Sequence, residues 1–192
     1  GWFGFNAGSW LAADGRAAMA MVVTQIAAAA AALSWIFAEW IAKGKPSVLG
    51  IASGAVAGLV AVTPASGFIT PSSALILGLI SGVVCYWAAT SLKHMLKYDD
   101  SLDAFGVHGV GGVLGAVLTG VLATNAITGA AEEYDVGHQL AVQLEAVGAT
   151  IAYSLVMTFI ILKVVDVLIG LRVREDAERE GLDVTQHGER VE

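Results

Sequence analysis

Residues 46–92 carry no charged side chain. A soluble domain would place a charge on about one residue in four, so a stretch this long cannot form a solvated surface. Charged residues make up only 14% of the chain, and its mean hydropathy is +0.72. The sequence therefore reads as an integral membrane protein. It is long enough for several crossings of about 20 apolar residues each. The expected fold class is all-α: a polytopic membrane helical bundle.

Five spans are expected. The first covers about Arg16 to Ile41 and is free of charge over residues 17–38. Trp35 and Trp40 mark its far interface, and Lys43, Gly44, Lys45 and Pro46 end it. The second, Ser47 to Val62, is short for a crossing. Pro64, Gly67 and Pro71 separate it from the third, Pro71 to about Leu92. Gly54 and Gly58 form a small-xxx-small pair on the second span, and Gly78 and Gly82 form another on the third. Such pairs let helix backbones approach closely in lipid. The fourth span is Ser101 to Thr124, with Ser101 as its N-cap and Asp103 in its first turn. The fifth, His138 to Leu171, is uncharged over residues 146–162 and longer than a bilayer needs, which implies tilt or protrusion. Residues 1–9 read as the last turns of a further helix, with no basic signal-peptide region ahead of them. Asp14 and Gly15 give the turn that follows.

Two regions result: a transmembrane domain, residues 1–171, and a charged cytoplasmic tail, residues 172–192. Lys43 and Lys45, Lys93 and Lys97, and Arg172 and Arg174 follow alternate spans. The connections after the second and fourth spans hold no Lys or Arg. The positive-inside rule then puts the C-terminus in the cytoplasm, with Arg16 as the one dissenting charge. The net charge of −7 lies largely around residues 132–135 and in the tail. With no basic patch, nothing points to nucleic acid. Cys85 is the single cysteine, so no internal disulfide is possible. No Ser/His/Asp set, metal-ligand spacing or phosphate loop occurs, so neither an enzyme nor a metal or other cofactor is implied.

The fourth span holds the main candidate. His108 lies mid-span among glycines, and at helical spacing it shares a face with Gly111, Gly112, Gly115 and Thr119. That face is bare enough for another backbone, so the imidazole is expected against protein and not lipid. A histidine inside a membrane needs a partner or a cavity, which makes it a functional candidate. It can donate through one nitrogen and accept through the other; the plain alternative is a buried histidine bonded to a carbonyl. Phe5 and Ser9, four apart on one helical face, offer an aromatic ring for a cation and a hydroxyl acceptor. Packing alone would also explain them. Asp103 reads as a helix-start acid. Glu39, Glu145 and Asp166 read as interfacial, as do His94 and His138. His94 and His108 have the spacing of haem ligands, but Lys97, Asp99, Asp100 and Ser101 turn the chain between them. In the tail, Gly181, Leu182 and Asp183 interrupt the run of charges, which suggests docking rather than free solvation.

Three motifs carry a family resemblance: residues 1–9 (GWFGFNAGS), residues 99–112 (DDSLDAFGVHGVGG), and residues 180–183 (EGLD) following residues 170–173 (GLRV). With these the chain resembles the C-terminal half of an ammonium transporter of the Amt/Mep/Rh family, bacterial-type Amt in particular, over essentially its whole length. The resemblance implies an eleven-span inverted-repeat ammonium transporter fold, of which this chain holds the end of the sixth span and spans seven to eleven. It implies a homotrimer in the lipid of a prokaryotic inner or plasma membrane, with one pore per subunit passing ammonium or ammonia. By the same resemblance Phe5 is a pore gate, Ser9 belongs to the ammonium vestibule and His108 is a pore histidine, with Asp103 near the pore. Gly181, Leu182 and Asp183 belong to a regulatory tail near where a PII-type signalling protein plugs the pore. An ammonium-responsive signalling receptor, acting through the tail, is the alternative.

Overall fold

The structure is a computed structural model that describes residues 1–129 and 133–189. Glu132 and residues 190–192 of the tail lie outside the described residues. The chain divides into two compact units, Gly1–Val147 and Gly148–Glu192.

In the first unit a short helix α1 (Trp2–Asn6) leads into a tight turn at Gly8–Trp10. Helix α2 (Gly15–Lys43) starts where Asp14 accepts from the Arg16 and Ala17 backbone N–H groups. It stops at Gly44, whose φ of +78° suits glycine. Ser47 caps α3 (Val48–Val62) by accepting from Gly50 N. A 3₁₀ turn at Thr63–Ala65 extends that helix, so the second span reaches 18 residues. The short expected span thus gains the length it lacked. Thr70 caps α4 (Pro71–Trp87), with Pro71 in the first turn, where its missing N–H costs nothing. A wide turn at Ala88–Leu92 and α5 (Lys93–Leu96) prolong α4. A second wide turn, Phe105–Gly109, opens α6 (Val110–Leu122). After α7 (Asn125–Thr128), α8 runs from Val136 to Ile169. Among the described residues five helices are long and apolar enough to cross a membrane, at Gly15–Lys43, Val48–Ala65, Pro71–Leu96, Phe105–Leu122 and Val136–Ile169. They coincide with the five expected spans.

Helix α2 packs against both α3 and α4, which also touch each other. The glycine pairs of α3 and α4 both land on its alanine run: Gly58 and Gly78 each face the Ala27 carbonyl, and Gly54 and Gly82 face Ala31. A methyl group on Gly78 would sit 2.5 Å from Ala27 O, so neither neighbour tolerates a larger residue. Val23, Ala27, Ala61, Leu77 and Ile69 make one buried cluster; Trp35, Ala57, Cys85 and Val107 belong to another. Helix α6 packs across α3 and α4, with Gly115 against the Ala61 carbonyl.

Glu39, near the end of α2 as expected, is only 4% exposed. Its carboxylate accepts from Ser47 N and Ser47 Oγ and pairs with Lys43, which ties the end of α2 to the start of α3. Ser101 does not cap the fourth span: the Asp100 carboxylate accepts from Ala104 N and Phe105 N. Asp103 stands just ahead of the helix with φ +54° instead of inside its first turn.

The second unit contains the end of α8 and the tail. The 34 residues of α8 extend about 51 Å at 1.5 Å per residue, more than the roughly 30 Å of a hydrocarbon core. Helix α9 (Glu175–Glu180) is laced by Arg172–Glu178, Arg174–Asp176 and Arg179–Glu175 ion pairs. The two arginines at the tail's start therefore engage tail acids.

Candidate functional site

Helix α1 is held to its neighbours by two matching relays. Trp2 Nε1 donates to Thr63 Oγ1 at 2.8 Å, and Thr63 Oγ1 donates to Leu59 O at 2.7 Å. One turn on, Asn6 Nδ2 donates to Thr24 Oγ1 at 2.9 Å, and Thr24 Oγ1 donates to Ala20 O at 2.6 Å. Each threonine spends its proton on its own helix and keeps a lone pair for α1. Trp2 is thereby fixed to α3 and Asn6 to α2, with Phe5 between them in sequence. The Phe5 ring is 62% exposed and meets Trp2 edge-on at 5.9 Å.

Phe5 stands between two cavities. One, of about 270 Å³, is lined by Phe5, Asn6, Ser9, Trp10, Arg16 and Phe68, among others. The other is an open cavity of about 760 Å³ lined by Trp2, Phe5, Val60, His108, Gly112 and Ala116, with Gly1, Thr63 and Pro64. Phe5 and Thr63 are common to both. Ser9 Oγ donates to Phe5 O, so its proton is committed and its lone pairs remain as acceptors. The second cavity offers carbon surface, the imidazole and little else polar. A small neutral hydrogen-bonding solute can enter such a space, while a bare ion loses its hydration there.

His108 sits within the wide turn, where Val110 N–H reaches back to Phe105 O. The extra residue shifts the register from that of a plain helix. The expected single glycine face is therefore split: Gly111, Gly115 and Thr119 are buried against the bundle, while Gly112 and Ala116 line the cavity with His108. The imidazole is exposed and lines that open cavity. A Cβ on Gly112 would meet nothing within 4 Å. The wide turn packs against the wide turn of α4, and Gly106 abuts the Ala89 backbone there. Cys85 Sγ lies 3.9 Å from Val107 O as a weak donor to a carbonyl in that turn.

Asp103 lines neither cavity. Its carboxylate pairs with Lys93 Nζ at 2.7 Å, and the same ammonium donates to Asp100 O at 2.6 Å. Arg16, the dissenting charge, stacks over Trp10 at 4.2 Å and Phe68 at 5.0 Å while Nε donates to Gly67 O. The Trp10 indole N–H bonded to Asp14, and next the Ala17 N–H, hold that carboxyl below its usual value. His94 is exposed and its Nδ1 meets Thr90 O, on a different helix from His108. Among the described residues no three His, Cys, Asp or Glu side chains gather to hold a metal ion. In the second unit, Gly181 takes φ +111°, Leu182 is 45% exposed, and Thr185 Oγ1 donates back to Ala177 O and Gly181 O.

Residues 1–192 match the Ammonium Transporter Family. The chain belongs to that family. It is 47% identical over 194 residues to an ammonium transporter of Bacillus subtilis, covering 100% of this chain and 48% of that protein. It is 49% identical over 192 residues to one of Aquifex aeolicus, covering 100% of this chain and 45% of that protein. The chain thus spans about half the length of the curated relatives it matches. Among solved structures it superposes on Saccharomyces cerevisiae Mep2 with a TM-score of 0.83 at 34% identity, over 91% of this chain and 41% of that one. A protein described as Sensor Amt Protein gives 0.88 at 32% identity, over 96% and 45%.

Within this ammonium transporter family member, Phe5 meets Ser9 in one cavity and His108 in the other, whereas Asp103 joins neither. Sequence reading missed Trp2, Thr63, Asn6 and Thr24 as the mount of Phe5. It also missed Arg16, Trp10 and Phe68 beside Ser9. The polar residues at positions 24 and 63, each preceded by an apolar run, were the available signal.

Proposed function

We propose that this chain supplies one wall of a pore that passes ammonium or ammonia across a membrane. The observation that carries the reading is the placement of Phe5 between the Ser9 cavity and the apolar His108 cavity. Ammonium has a charge and four N–H donors, so stripping its water is costly unless other groups replace it. Aromatic faces and the lone pairs of Ser9 replace part of that shell in the vestibule. Phe5 gates the passage beyond. The apolar cavity favours the neutral species, and His108 offers it a donor and an acceptor.

In this reading three copies assemble in a prokaryotic inner or plasma membrane with the C-terminus in the cytoplasm. Gly181, Leu182 and Asp183 form a regulatory segment near the docking place of a PII-type signalling protein, and Asp103 starts the pore helix. Family membership and the five apolar helices support it. The test is methylammonium uptake by the full-length transporter in vesicles. His108→Ala should abolish uptake or its selectivity while oligomer size stays that of the unaltered protein. Normal selective uptake by the variant would remove His108 from the pore.

A further inference from the structure

We propose that Lys93 and Asp103 form a latch that sets the direction of His108, acting as positioning residues for the pore. The inference rests on His108 facing the cavity. The segment from α5 to the fourth span is bracketed by two non-glycine residues in left-handed conformation, Lys97 at φ +53° and Asp103 at φ +54°. Aspartate tolerates that conformation better than most residues, but it still needs an external hold. Lys93 supplies it through Asp103 Oδ1 and Asp100 O. Asp100 in turn covers the first free backbone donors of the span, Ala104 N at 2.8 Å and Phe105 N at 2.9 Å. One ammonium thus fixes both the left-handed residue and the capping residue.

Lys93 is tied to the facing element too, because its backbone N–H reaches Ala88 O and closes the wide turn of α4. The two wide turns touch where Gly106 meets the Ala89 backbone. Beyond them α6 is anchored separately, by Gly111 on Val60 and Gly115 on Ala61. The Phe105–Gly109 turn is therefore gripped at both ends, by the latch and by the glycine anchor. Without the latch it relaxes toward ordinary helical register. One residue of register is about 100° of rotation at 3.6 residues per turn, enough to swing His108 off the line of Gly112 and Ala116. The pair is partly shielded, with side chains 26% and 34% exposed, so water does not fully replace it.

The test is cysteine accessibility in the full-length protein, with a small thiosulfonate reagent. Cys85 is buried and stays silent. His108→Cys should react readily. Adding Asp103→Asn, which keeps a residue tolerant of positive φ, or Lys93→Met, which keeps the stem, should slow that reaction. The expected fall is about ten-fold, the population shift that follows loss of a charge-assisted hydrogen bond. Gly112→Cys, on the anchored part of the helix, should keep its rate in all backgrounds. Unchanged His108→Cys reactivity in both single variants overturns the latch alone, and so does an equal fall at Gly112→Cys, which means global loosening. A His108→Cys that never reacts overturns the cavity reading and the latch with it.

Discussion

At the scale of single residues, the mount of Phe5 depends on two threonine hydroxyls. Thr63 accepts from the Trp2 indole N–H at 2.8 Å. Thr63→Val keeps the shape and strands a partly buried donor, at a cost of about 1–3 kcal/mol. The expected outcome is a lower unfolding midpoint, while Thr63→Ser, which retains the acceptor, stays near the original value. An equal loss in both variants would mean that the methyl group, not the relay, matters. Asp14 gives a pH-dependent counterpart. Its folded pKa lies below the unfolded one, so its contribution is full above the unfolded value and is lost as pH falls through the folded value. Hydrogen exchange at Arg16 and Ala17 should rise only in strong acid, and a rise near neutrality would contradict the cap. His108 was legible in the sequence because an imidazole stands out in an apolar run, whereas Phe5, one aromatic among several in residues 1–10, was singled out by the family motif. Thr63 and Thr24 were not, because their partners lie 61 and 18 residues away and no local pattern announces such a pair.

At the scale of elements, the spans were legible and the turns between them were not. Hydropathy sets where a helix crosses, and small-xxx-small pairs mark where it touches another. Both glycine pairs found their use, although their shared target, the Ala27–Ala31 stretch of α2, carries no mark beyond small size. Gly78→Leu should therefore separate α4 from α2 and cost about 1–3 kcal/mol or more from overpacking. Its check is the fraction of protein recovered folded in detergent, with Ile76→Leu, on an exposed position, as the tolerant control. The wide turns were invisible, because an i→i+5 turn has no residue signature. Reading α6 as a plain helix is what merged the packing face with the His108 face. The tail offers a sharper test of an element. Gly181 holds φ +111°, a conformation open to glycine and strained for β-branched residues. Gly181→Val should raise hydrogen exchange across residues 175–189, where Thr185 Oγ1 returns to Ala177 O and Gly181 O. Exchange that is already fast without the substitution would mean a merely solvated tail.

At the scale of the whole molecule, the remaining question is which way the bundle faces. The basic residues after the first, third and fifth spans argue for one side, and Arg16 argued against. The structure changes the weight of that dissent. The Arg16 guanidinium is stacked on Trp10 and Phe68, and its Nε is bonded to Gly67 O. It is a structural cation locked beside the Ser9 cavity, not one of a cluster of loop charges. By contrast Lys45 and Lys97 are exposed, the kind of short-loop charge on which the positive-inside rule rests. The proposed topology puts the tail inside and the connection ahead of α8 outside. In cells making the full-length protein, Glu180→Cys should resist a membrane-impermeant maleimide until the membrane is opened. Glu133→Cys, on the exposed connection, should react in intact cells. The reverse pattern would invert the bundle, place Ser9 and Phe5 on the cytoplasmic side, and turn the proposed vestibule into an exit.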